Sequence, residues 1–409
     1  MTCPKMLVHI CCAVDSHFFL QELRQLYPQT QFTGFFYNPN IHPHEEYQLR
    51  LQDAKRSCKM LDMALIEGDY ALDAWLQAIQ GLEEEREKGA RCNVCFDVRL
   101  EASAKMALML GIEHFSTTLL SSPMKEQIIL KSQGEAIGAR YGLEFIYHNT
   151  RAKGGVERQN AMAKRDKLYR QNYCGCRFAL NAQREAQDKP CIELMSPLNG
   201  QIHPAGIPRR LELFKRRDVL EAHAQGYELL QQSALSYLLL RAHVHLDQEL
   251  LPSVILNRST SKKVLIKDLR VQAITLEPTL AQKLLAKEHN LEVKPLTLEV
   301  GLSPKDDTLF LDMRGVSALL QIPPTSLSDL KLCYDQELYV RERLVGGESI
   351  QPLIIVQDLG IFRSAHPPVH VQIVAQFFEH KNFYLLEHPT PLLPPEYPKE
   401  QSKAHAREY

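Results

Sequence analysis

Of the ten cysteines in this 409-residue chain, six fall in three close pairs. Cys11 and Cys12 are adjacent, Cys92 and Cys95 form a CxxC, and Cys174 and Cys176 flank a single glycine. Adjacent cysteines rarely close a disulfide on each other because the ring is strained, whereas two neighbouring thiolates can both ligate a metal. The plain alternative for Cys11 and Cys12 is a pair of small apolar residues ending a strand. Cys92 and Cys95 open a helix expected from the periodicity, where free N–H groups and the helix dipole favour thiolates. Gly175 lets the two thiols of the third pair point to one side of a turn. Four thiolates from the first two pairs would complete either a tetrahedral zinc site or a [4Fe-4S] cluster, and spacing does not separate the two. The third pair then offers ligands for a second metal or a reversible dithiol. Asp15, four residues after Cys11, offers a hard oxygen ligand or a proton donor, or else caps a helix. Cys3, Cys58, Cys191 and Cys333 stand alone and are assigned to packing or surface. His42 and His44, flanked by Pro39 and Pro43, are read as loop or substrate-contacting residues.

These pairs need a scaffold. Residues 5–10, 31–37, 63–67, 114–118 and 143–147 read as short strands separated by helical periodicity, which indicates an α/β, Rossmann-like domain with a parallel sheet. Cys11 and Cys12 then lie at the carboxyl end of the first strand, where such sheets bind ligands. A proline- and glycine-rich stretch over 187–210 marks a boundary near residue 195. The catalytic domain is therefore expected over 1–195 and an accessory domain over 196–390, with a disordered tail over 391–409. The accessory domain reads as α+β or mainly β: helix over 211–240, then strands over 263–266, 308–311, 351–357, 370–377 and 382–386.

A net charge of −1 neither requires nor excludes nucleic acid, because phosphate binding needs only a local basic surface. Between Arg151 and Arg177, eight basic residues face two acidic ones. Lys153, Arg158, Lys164, Arg165 and Arg170 are the candidate phosphate contacts, on a segment expected to be helical over 155–180. Tyr169 and Tyr173 lie among them as candidate stacking faces for unpaired bases; the bland alternative is a solvated helix face. The apolar runs 353–356 and 237–240 fall far short of the roughly 18 residues of a membrane span. No export signal is visible, so a soluble, cytoplasmic protein is expected.

The loop His9-Ile10-Cys11-Cys12-Ala13-Val14-Asp15-Ser16 is similar to the strand-to-loop start of the ATP-pyrophosphatase group, with cysteines where that group has the glycines of its phosphate cradle. A metal site is expected there in place of ATP. A wider resemblance follows from Cys11-Cys12-Ala13; from Tyr37-Asn38-Pro39-Asn40-Ile41-His42-Pro43 with Glu46, Tyr47 and Arg50; and from Arg91-Cys92, Cys95-Phe96 and Arg99-Leu100. It continues through Thr117-Thr118-Leu119-Leu120 with Ser122-Pro123, Lys153-Gly154-Gly155, and Leu168-Tyr169-Arg170-Gln171 with Tyr173-Cys174-Gly175-Cys176. In this order, over about 5–180, the chain resembles the QueH-type epoxyqueuosine reductases. That resemblance implies reduction of epoxyqueuosine to queuosine in tRNA by a [4Fe-4S] cluster with an additional iron, and an electron donor such as a ferredoxin or flavodoxin. Carried over, Cys11, Cys12, Cys92 and Cys95 would bind the cluster, and Cys174, Cys176 and Asp15 the second metal. Tyr37, His42, Asp15 and Tyr173 are the candidate proton donors. Competing readings are an ATP-dependent tRNA thiolation enzyme and a zinc-stabilised RNA-binding module.

Overall fold

The computed structural model describes residues 4–194, 206–332, 334–347, 349–363 and 368–391. The boundary expected near 195 and the tail beyond 391 lie outside them.

The first unit runs β1 (Lys5–His9), α1 (Ala13–Leu26), β2 (Gln31–Phe36), α2 (His44–Met60), β3 (Ala64–Glu67), α3 (Leu72–Ala78), α4 (Ala90–Met109), β4 (His114–Thr117), α5 (Gln127–Tyr141), β5 (Glu144–Phe145), α6 (Gly155–Arg165) and α7 (Arg177–Ala186). All five strands pair in parallel, in the order β3-β2-β1-β4-β5. Strand order reverses between β1 and β4, and the crevice beyond the strand ends at such a switch point is where this architecture takes ligands. Leu7, Val8 and Phe115, on the two central strands, are fully buried with Phe36 and Leu120, as expected where helices cover both faces of a parallel sheet.

The second unit comprises α8 (Ile207–Ala222), β6 (Gln225–Leu246), β7 (Glu249–Leu251), β8 (Ser253–Leu256), β9 (Lys262–Ile266), β10 (Arg270–Leu276), α9 (Leu280–Glu288), β11 (Leu296–Ser303), β12 (Asp306–Asp312), α10 (Met313–Leu320), α11 (Tyr334–Leu344), β13 (Leu353–Val356) and β14 (Val369–Pro391). One sheet has the order β10-β11-β12-β13-β8 and the other β7-β6-β14-β9. Two sequence expectations are corrected here. Residues 225–240 are strand and not helix, because β6 pairs with β14 along nearly its whole length; long-range pairing overrides a weak helical pattern. Residues 370–377 and 382–386 are one continuous strand. In the first unit, the helix expected over 155–180 breaks after Arg165, where Lys167 takes a φ of 51° that an α-helix cannot continue.

Buried charge joins the two units. On α2, Asp53 accepts from Arg217 Nη1 of α8 at 2.8 Å and from the Tyr169 backbone N–H at 2.7 Å. Arg56 grips Glu221 with two 2.7 Å hydrogen bonds. Tyr169, buried, meets Phe214 edge-on at 5.1 Å and Phe383 of β14 at 6.5 Å. The Arg217 and Asp53 side chains are essentially solvent-free, at 0% and 1% exposure. Asp53→Ala would leave the guanidinium buried with the partly exposed Asp218 as its remaining carboxylate. The expected loss is about 3–5 kcal/mol in urea unfolding; a loss below ~1 kcal/mol would show that the pair does not hold the units together.

Candidate functional site

β1 delivers Cys11 and Cys12 to the switch point, and Cys12 occupies the cap position of α1 without capping it through its side chain. Cys11 N donates to Thr118 Oγ1 at 3.0 Å, and that hydroxyl donates to Cys11 Sγ at 3.2 Å, so the loop after β4 fixes the first thiol. The two sulfurs are 3.8 Å apart, and Cys11 Sγ donates to Asp15 Oδ2 at 3.4 Å. Cys11, Cys12 and Asp15 are all buried, and their ligand atoms lie within 4.8 Å of one another. Asp15 therefore turns its carboxylate to the thiols and does not cap α1. Its other oxygen accepts from Gln159 Nε2 at 2.5 Å, and Ser121 Oγ donates to Gln159 Oε1 at 3.2 Å, which fixes the amide's orientation. α6 carries Gln159 inward because Gly155 lets its first turn close on residue 150: a Cβ at Gly155 would lie 1.7 Å from the Thr150 carbonyl oxygen. Burial pushes the Asp15 carboxyl up, against hydrogen bonds from Cys11, Cys12 and Gln159. The hydrogen bond with Cys11 pushes the Cys12 thiol up, and burial adds to it.

Cys92 and Cys95 lie on the first turns of α4, and the Lys88 N–H donates to Cys92 Sγ at 3.2 Å. α4 is tied to the sheet through Arg99, whose Nη2 donates to Asn38 Oδ1 at 2.5 Å, while Asn38 Nδ2 donates to the Ile10 carbonyl at 2.9 Å. Cys174 and Cys176 flank Gly175, whose φ of +107° and close approach to Ile41 exclude a side chain. The buried Arg50 guanidinium holds this turn, donating to the Tyr173 carbonyl at 3.0 Å and the Cys174 carbonyl at 3.2 Å, with Glu46 at 2.7 Å as its counter-charge. Cys174 is held well below the ordinary thiol range by the hydrogen bond from Cys176 and by the Lys125 ammonium. The shared hydrogen bond pushes Cys176 up in turn. Lys125 acts on Cys174, Cys92 and Cys95 together, and Cys95 and Cys176 pack in one cluster with Trp75 and Ile79. The second and third pairs thus face each other around one buried cation.

A cavity of about 330 Å³ opens between the groups, lined by Cys11, Asp15, Lys125, Arg170, Tyr173 and Cys174 among others. Two of the four candidate proton donors are elsewhere. Tyr37 stacks on Phe35, and His42 turns Nδ1 to the Asn40 carbonyl at 2.9 Å; neither lines the cavity. Tyr173 lines it, but its hydroxyl donates to the His42 carbonyl. Of the candidate phosphate contacts, Lys153, Lys164 and Arg170 are exposed, while Arg158 lies near Glu22 and over Phe18, and Arg165 forks onto Asp166. The stacking role expected of Tyr169 and Tyr173 is corrected, because both rings are buried. The described cysteines are all free thiols: no disulfide joins Cys174 to Cys176, and the pair stands as the reduced form of the dithiol considered for it. Sequence reasoning missed Lys125 and Gln159; neither belongs to a recognised motif, and an isolated polar residue carries no local signal of where it points.

The family model for epoxyqueuosine reductase QueH matches residues 6–182. The epoxyqueuosine reductase QueH of Helicobacter pylori is 40% identical over 393 residues, covering 93% of this chain and 100% of that protein. The Acinetobacter baylyi QueH is 36% identical over 194 residues, covering 46% of this chain and 88% of that protein. The Thermotoga maritima QueH is 34% identical over 183 residues, covering 44% and 92%. Among solved structures, the U34-tRNA thiolase NcsA from Methanococcus maripaludis with its [4Fe-4S] cluster has 12% identity and a TM-score of 0.31 over 46% of this chain and 67% of that one, too distant to bear on the site. With 40% identity over the full length of one QueH and with the cysteine motifs gathered at the switch point, the chain belongs to the QueH family of epoxyqueuosine reductases, which reduce epoxyqueuosine to queuosine in tRNA.

Proposed function

We propose that this reduction runs at a [4Fe-4S] cluster held by Cys92, Cys95, Cys174 and Cys176, with a single iron held by Cys11, Cys12 and Asp15. The observation that carries this reading is the buried trio of Cys11, Cys12 and Asp15, whose ligand atoms all lie within 4.8 Å of one another. Two thiols and a carboxylate, desolvated and confined together, are a costly arrangement that a cation relieves. Three of the other four thiols, Cys92, Cys95 and Cys174, share the Lys125 ammonium, which offsets the negative charge of thiolate ligands. This grouping differs from the one the resemblance implied: Asp15 keeps company with Cys11 and Cys12, and the third pair joins the second. When bound, the cluster supplies single electrons and the iron a Lewis-acidic position for the epoxide oxygen.

Reducing the epoxide consumes two electrons and two protons and releases the oxygen as water. With Tyr37 and His42 away from the cavity, Tyr173 engaged and Asp15 a ligand, the proton source in this reading is Lys125 Nζ, whose side chain is only 10% exposed and lines the cavity. A cavity of about 330 Å³ falls in the roughly 300–1,000 Å³ range of small-molecule sites and accommodates one extruded base. Arg170 at its mouth, with Lys153 just before α6 and Lys164 on it, would hold the adjoining phosphates. Electrons would come from a separate carrier of ferredoxin or flavodoxin type, since thiols occupy the strand-end loop where a dinucleotide's phosphates would bind. The competing thiolation reading needs ATP at that same loop, where Cys11 N is already spent on Thr118. No helix of the described residues is long and apolar enough to cross a membrane, and a tRNA substrate fits a cytoplasmic site of action.

Anaerobically purified protein is expected to contain about five irons and about four sulfides per chain. Cys12→Ala should lose the single iron and keep its sulfide, whereas Cys95→Ala should lose sulfide; the reverse pattern would overturn the ligand grouping, and a colourless zinc protein would overturn the redox reading. Lys125→Met should lower kcat by about 10²–10⁴ at full iron content; a kcat within twofold of wild type would reassign the proton source. Folding raises the Asp15 carboxyl, so the stability of its protonated form is present below the ordinary carboxylate range and is lost as pH rises through the folded value. Metal-free Asp15→Asn should therefore unfold at a higher temperature than the parent at pH 7. An equal or lower midpoint would show that the carboxylate carries no such penalty.

A further inference from the structure

We propose that the cleft between the catalytic unit and the β6–β14 ribbon is a second subsite, which binds the sugar–phosphate backbone next to the base being reduced. This rests on the reading that the cysteine-lined cavity holds that base. The cleft has a volume of about 310 Å³, and its walls come from residues just beyond α7, from α8 and from the facing strands β6 and β14. It shares Arg170 and Asn172 with the cysteine-lined cavity, so an RNA strand leaving one enters the other.

The chemistry of the cleft suits a phosphodiester. Arg170, Arg184, Lys189, Arg210 and Lys381 line it against Glu193 and Glu379. Arg184 is engaged by Glu193. Arg170, Lys189 and Lys381 are exposed, and no ion pair holds them among the described residues. Arg210 is 8% exposed, lies over the Phe383 ring at 5.5 Å, and has no hydrogen-bond partner for its Nε among the described residues. A largely buried guanidinium lining a cleft that also presents unpaired ammonium groups gives that cleft a positive potential suited to an acceptor-only anion. Gln231 and Asn172 add amides that can bond either phosphate or ribose.

The accessory unit gains a role from this placement. The Acinetobacter baylyi and Thermotoga maritima proteins match over less than half of this chain while 88% and 92% of their own lengths are covered, so the cysteine site does not require the ribbon. What the ribbon adds is one wall of a cleft beside that site. The buried Arg217–Asp53 contact and the partly buried Arg56–Glu221 contact fix that wall in position.

Lys189→Glu and Lys381→Glu change exposed side chains and leave both cores untouched. Binding of a fluorescently labelled anticodon stem-loop RNA, followed by anisotropy at several salt concentrations, is expected to weaken about three- to tenfold for each variant, with a shallower salt slope. In turnover the loss should appear in KM, at wild-type iron content. Lys305→Glu, on an exposed turn between β11 and β12, should bind as wild type. An unchanged dissociation constant in the double variant would overturn the subsite, and so would an equal loss in Lys305→Glu. Inorganic phosphate binding that the double variant abolishes while RNA affinity stays intact would overturn it in favour of a free anion. Wild-type protein that fails to bind the stem-loop and reduces the free nucleoside as well as RNA would instead remove the base-holding reading itself.

Discussion

One face of α2 bears the charges on which the site depends. Glu46, Arg50, Asp53 and Ser57 recur at intervals that put them on one side of the helix, and all four are buried. Glu46 accepts from Arg50 and from the Tyr169 hydroxyl; Arg50 holds the carbonyls of Tyr173 and Cys174; Asp53 takes the Tyr169 N–H and Arg217. Ser57 meets His17 of α1 at 2.9 Å. A buried polar face is stable only when every member is satisfied. Here each partner is a segment that the site needs in place: the third cysteine pair, the start of the second unit, or the helix carrying Asp15.

Desolvation gives that face its purpose. The chain from 166 to 176 is irregular, and irregular backbone inside a protein leaves carbonyls to satisfy. Arg50, with its planar fork and permanent charge, satisfies two of them at once, which a lysine could not do with the same geometry. Its charge is cancelled locally by Glu46. The guanidinium still adds to the pull of Cys176 and Lys125 that holds Cys174 down. The same economy appears at Asp15, whose second oxygen is bound by Gln159 so that only one faces the thiols.

Much of the first unit was legible in the sequence because its signals are local. Five short apolar segments between helical stretches dictated a parallel sheet, and the strand-end position of Cys11 and Cys12 followed from the first of them. Glu46 and Arg50 also stood among the motif residues, although nothing in their spacing distinguishes a buried ion pair from a solvated helix face. Lys125, Gln159 and Arg210 were not legible, since each acts on partners far away in the sequence, and only the tertiary fold brings them together. The failed expectations share one cause. Tyr169 and Tyr173 read as stacking faces because they lie among cations, and 225–240 read as helix because its pairing partner begins more than a hundred residues later.

The two-unit layout also separates two physical tasks. Electron transfer and ligand geometry tolerate little displacement, and the thiols and Asp15 all come from the first unit, on the strand end, helices and turn gathered at one sheet edge. Holding a long polyanion requires area and charge spread along its length. A single cavity of about 330 Å³ offers room for one base but little purchase on the strand beside it. A rigid ribbon docked through buried ion pairs extends the binding surface without disturbing the cysteine site. Its antiparallel pairing satisfies its own backbone, so the side chains facing the catalytic unit are free to vary in charge while the chemistry beneath stays fixed.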